Sequence, residues 1–85
     1  MSNHLPPLSI RHERTVPGNG PNFGHDVTLF GVFRNDTFRV VNRSEAISLV
    51  MERGVGFLAA AALVERVADD PDVAYDVHNG QSVEL

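Results

Sequence analysis

The sequence predicts a small α+β fold in which helix packs on one face of an antiparallel sheet. Two hairpin signatures and the segment between them predict it. Residues 27–41 alternate around Asn35-Asp36, and residues 73–85 alternate around Asn79-Gly80. Between the two, apolar residues recur at helical spacing, with a cap signal before them and a proline stop after.

Residues 1–25 differ from the rest. They hold four of the five prolines (Pro6, Pro7, Pro17, Pro21) and Gly18, Gly20 and Gly24. Proline removes backbone donors and glycine raises chain entropy, so regular structure is disfavoured there. The segment is read as an extended Pro/Gly-rich arm, with residues 26–85 forming the folded domain. Within the arm, Leu8, Ile10, His12, Arg14 and Val16 alternate with Ser9, Arg11, Glu13 and Thr15. That pattern suits a strand wherever a sheet edge is offered to it.

In the first hairpin, Val27, Leu29, Gly31 and Phe33 alternate with Thr28, Phe30, Val32 and Arg34. Both sets contain apolar residues, which suits a strand buried on one face and partly covered on the other. Asn35 and Asp36 tolerate left-handed backbone and form the turn; Phe38 and Val40 return. Asn42 is the expected N-cap of the helical segment, with Glu45 three residues on for a reciprocal capping box. Ile47, Val50 and Met51 are its expected inner face. Gly54-Val55-Gly56 breaks or bends the helix, and Phe57, Ala61, Val64 and Ala68 form the expected face of the second part. The alanines at 59–62 allow close approach of a neighbour. Asp69-Asp70-Pro71 ends the helix, because the residue before proline avoids helical geometry. Val73, Tyr75 and Val77 then form a strand, Asn79-Gly80 a type I′ turn, and Gln81, Val83 and Leu85 the last strand, with Val83 and Leu85 expected inside.

Length and composition narrow the function classes. At 85 residues the chain is one domain with a thin core; it buries only about 60% of its unfolded surface. It has no cysteine, which excludes a disulfide scaffold, a thiolate zinc site and cysteine catalysis. Its longest apolar run, residues 54–64, is well short of the roughly 20 residues a spanning helix needs. No basic cluster precedes an apolar run near the start, so no signal peptide is expected, and the expected location is the cytoplasm or a virion. The basic residues are all arginine, a bias that matches a GC-rich genome such as that of an actinobacterium, a proteobacterium or a phage. Residues 1–43 carry +2 and residues 44–85 carry −6, a polarity read first as the ordinary scatter of a solvated surface and second as a basis for electrostatic docking or head-to-tail association.

Candidate chemistry is sparse. The histidines are His4, His12, His25 and His78, three of them in the arm, and none has helical metal-pair spacing. Asp69, Asp70 and Asp72 lack the glycine and terminal glutamate of a calcium loop. The glycines at 18–24 neither follow a strand nor open a helix, as a phosphate loop requires. No catalytic residue, metal site or cofactor is therefore expected, and the chain carries no family signature longer than a few residues.

The expected function is a non-enzymatic structural or assembly protein. It binds neighbouring protein subunits, as a homo-oligomer or in a larger assembly, through its arm and its sheet edge. Leu8, Ile10, Arg11, Arg14, Val16 and Phe23 are the arm residues expected to touch the partner. A capsid-associated or decoration component of a phage virion is built this way. The first alternative is a small phage- or bacterium-encoded regulator that inhibits a host protein by direct binding. The second is a nucleic-acid module, in which Phe30, Phe33 and Phe38 stack bases while Arg34, Arg39 and Arg43 hold phosphates. The net charge of −4 counts against it.

Overall fold

A computed structural model describes residues 7–18 and 26–85. The element order is β1 (Leu8–Val16), β2 (Val27–Arg34), β3 (Thr37–Val41), α1 (Arg43–Met51), α2 (Phe57–Asp69), β4 (Ala74–His78) and β5 (Gln81–Glu84). The strands form one antiparallel sheet in the order β3-β2-β1-β4-β5. Both helices pack on the same face, giving the α+β layout expected.

The sheet has five strands because β1 belongs to it, and this corrects the reading of residues 8–16 as an arm. The edge that this alternating segment needs is supplied by its own chain, on both sides. Leu8 pairs with Arg34 of β2 and with Val77 of β4; Ile10 pairs with Val32 and Tyr75. Leu8 is 1% exposed and Ile10 0% exposed. They are core residues under the helices, so neither offers a surface to another subunit. Phe23, His4, His25, Gly20 and Gly24, singled out in the sequence, lie outside the described residues.

Residues directly opposite in a ladder share a face. The register therefore assigns Leu8, Ile10, Phe30, Val32, Val41, Tyr75 and Val77 to the helix side. There they meet Ala46, Leu49 and Val50 of α1 and Ala60, Leu63, Val64 and Val67 of α2. Each helix face is rotated from the one expected, sharing Val50 in α1 and Val64 in α2. In α1 the buried set is Ala46, Leu49 and Val50, with Ile47 half-buried and Met51 exposed. In α2 it is the i, i+3, i+4, i+7 set beginning at Ala60, and Phe57 is exposed. The helices are separate, not one bent helix.

The junctions follow the local chemistry. The Asn42 side chain accepts a hydrogen bond from the Glu45 N–H at 2.8 Å and caps α1. The reciprocal half of the capping box does not form, because the Glu45 carboxylate pairs with Arg39 at 2.6 Å. Arg53, after α1, is buried, and its Nη1 donates to the Leu49 carbonyl at 3.3 Å. Burial lowers its pKa, Glu52 opposes the shift and Arg34 adds to it. The Arg53 carbonyl accepts the Gly80 N–H at 2.5 Å, joining the interhelix turn to the last hairpin. Gly54 has φ +91, and a Cβ there would lie 3.2 Å from the Gly80 nitrogen. Asn79 and Gly80 both take positive φ, as a type I′ turn needs.

Candidate functional site

The helices cover one face of the sheet. The other carries two rows of side chains that no described residue caps. One row runs Val40, Gly31, Arg11, Ala74, and Leu85 extends it through its N–H bond to the Ala74 carbonyl. The second runs Phe38, Phe33, Ser9, Asp76, Val83. Val83 and Leu85, expected inside, are 59% and 66% exposed. They do alternate as strand residues, but toward the side away from the helices.

The β3–β2 half of this face is built around an aromatic pair. The Phe33 and Phe38 rings lie 4.9 Å apart at 49°, within the range of favourable ring contacts. Both stay exposed, at 37% and 41%. Gly31 makes the floor: a Cβ there would lie 2.9 Å from the Phe38 ring, so the ring rests on bare backbone. The Arg11 guanidinium sits above, 5.1 Å from the Phe33 centroid and 5.9 Å from that of Phe38, a cation–π arrangement. The ladder shifts by one residue between His12 and Arg14. This bulge at Glu13 sets the Glu13 carboxylate beside Gly31 and pairs Arg14 with Leu29 on the same side. The other half of the face carries Asp76 between Ser9 and Val83.

The expected Phe/Arg constellation is divided by the sheet. Phe30 is fully buried in the core. Arg34 and Arg39 fall on the helix side of their strands, opposite to Phe33 and Phe38. Arg39 pairs with Glu45, and Arg43, at the start of α1, pairs with Glu65 of α2. The three arginines picked from their nearness in sequence therefore do not flank the aromatic pair. Arg11 does, and it comes from a strand far away in sequence. Arg14 and Val16 are exposed on the part of β1 that runs beyond β4. Asp76 and Gly31 were missed. The strand alternation that puts Gly31 in phase with Phe33 was the available signal.

The remaining polar groups are engaged structurally. Arg66 of α2 reaches Glu84 at 3.5 Å, and the Tyr75 hydroxyl donates to Glu84 at 3.3 Å. The Tyr75 hydroxyl, then Glu84, raise the pKa of Arg66. A hollow of about 460 Å³ at the start of α1 is lined by Asp26, Val27, Thr28, Asn42, Arg43, Ser44 and Ile47. Its charged groups already have partners: Asp26 accepts the Gly18 N–H at 3.1 Å, and Arg43 holds Glu65. Among the described residues, no three histidine, aspartate or glutamate side chains converge as metal ligands, and no helix is long and apolar enough to cross a membrane. Comparison with protein families, curated proteins and solved structures returns no match.

Proposed function

We propose that this chain is a non-enzymatic protein-binding module that assembles with protein subunits through the uncovered face of its sheet. One observation carries the reading: the Phe33–Phe38 pair, with Arg11 over it, stands on a face opposite both helices. Exposed aromatics grouped with an arginine are what the centres of protein interfaces are made of. A helix-backed sheet gives such a group a rigid base. The outer edges of β3 and β5 pair with no other strand among the described residues, and a neighbour's strand can add there. The phage virion setting rests on the arginine-only composition alone, and no residue of the face speaks for it.

A nucleic-acid reading retains one supporting feature, since an arginine over an aromatic pair on an open sheet is also a base-stacking platform. Glu13 and Asp76 on the same face, and the net charge of −4, favour protein instead.

The test is photo-crosslinking in the native host, with a photoreactive residue at position 38 and, as control, at position 59 on the exposed side of α2. Protease-sensitive adducts from position 38 and not from 59 are expected. Nuclease-sensitive adducts would transfer the reading to nucleic acid, and adducts from 59 alone would reject this face. Phe33→Ser with Phe38→Ser should leave the fold intact and abolish the adducts formed from a probe at position 40.

A further inference from the structure

We infer that the occupant of the uncovered face is a second copy of this chain, docked face to face about a two-fold axis parallel to the strands. The inference rests on the reading of this face as a protein-contact surface and names its partner.

The two halves of the face complement each other. On the β3–β2 side lie Phe33, Phe38, Val40 and the Arg11 cation leaning over Phe33. On the β4–β5 side lie Asp76, Val83 and Leu85. Between them run the small residues Gly31, Ser9 and Ala74. A two-fold axis lying along β1 keeps each row in place and exchanges the two sides of the sheet. The β2 position of one copy then faces the β4 position of the other within the same row. Arg11, leaning from β1 over Phe33 in the second row, meets Asp76 of the other copy, and symmetry repeats the contact. In the same row Phe38 meets Val83, and in the first row Val40 meets Leu85.

Such an interface is isologous, with each residue pair occurring twice. In this orientation the Arg11–Asp76 pair is self-complementary, and the Glu13 carboxylate beside Gly31 faces Ala74 of the other copy. Neither Arg11 nor Asp76 makes an ion pair with any described residue, so each brings its full charge to the contact. The other two-fold, across the strands, sets β3 on β3 and β1 on β1, so Arg11 can meet only Glu13 and Asp76 has no arginine opposite. The product is a four-layer α/β/β/α sandwich, and two such faces pack about 10 Å apart in aligned sheet-on-sheet geometry.

The experiment is sedimentation equilibrium of the full chain over a concentration series, with charge reversals at two exposed positions. The wild type is expected to show a reversible monomer–dimer equilibrium. Arg11→Glu alone and Asp76→Arg alone should each weaken the dimer by about tenfold or more, and the double variant should recover most of that loss. Unchanged circular dichroism spectra would show that the variants fold. A chain that stays monomeric at every concentration overturns the inference, as does a double variant no better than either single one. A monomeric wild type that still forms adducts with a different protein from position 38 removes the second copy while leaving the protein-binding reading standing. Absence of any position-38 adduct removes both.

Discussion

Two glycines do work that no other residue can do in their places. Gly54 holds φ +91 with the Gly80 backbone against it, so a methyl group there meets an unfavourable backbone conformation and a close backbone neighbour together. Gly54→Ala is predicted to lower stability by about 1–3 kcal/mol in chemical denaturation. The same substitution at Gly56, whose Cβ would meet nothing within 4 Å and whose φ is −66, should be close to neutral. Gly31 is different again. Its added methyl would press on the far end of the Phe38 ring, which is exposed and can swing away. Gly31→Ala therefore damages the aromatic pair more than the fold.

At the scale of the elements, the central position of β1 decides the behaviour of the N-terminal half. Ile10→Ala removes packed methylenes from the middle of the sheet and should cost about 2–5 kcal/mol, as a core truncation does. Deleting residues 1–18 takes out the strand that joins β2 to β4, and the remaining elements should show no cooperative thermal transition. An arm would have given the opposite result, a folded domain with impaired assembly.

The hairpins, the Asn42 cap and the break at Gly54 were legible in the sequence because each is a local signal. The pairing of β1 was not. Its two partners lie far away in sequence, and its polar residues Ser9, Arg11 and Glu13 occupy the side that faces away from the helices. A middle strand of a one-sided sheet thus reads like an exposed one. The same cause hid the site, because Arg11 meets Phe33 and Phe38 only when β1 and β2 pair. In α1, Ile47 and Met51 compete with Ala46 and Leu49 for the inner face, and packing chose the set containing the smaller Ala46.

Among the described residues, the molecule is a sheet with one dressed side. Its core is formed by the helices and the inner residues of the strands, and the outer rows contribute little to it. Substitutions of Phe33 and Phe38 should consequently separate folding from association: the variant keeps a cooperative thermal transition, and its midpoint no longer rises with protein concentration as that of an associating chain does. The division of charge along the sequence has less consequence than its arithmetic suggests. Arg39, Arg43 and Arg66 are bound to Glu45, Glu65 and Glu84, and these exposed pairs contribute little stability each. What remains for recognition is local: Arg11 and Glu13 on one half of a face and Asp76 on the other.

Hydroxyl-radical footprinting reads the fate of that face directly, because each phenylalanine reports its own access to solvent. Phe33 and Phe38 should be protected in the native assembly relative to the dilute chain, with Phe57, exposed at the start of α2, oxidised equally in both. Unchanged oxidation at Phe33 and Phe38 with protection at Phe57 would contradict the account and move the contact to the helix side.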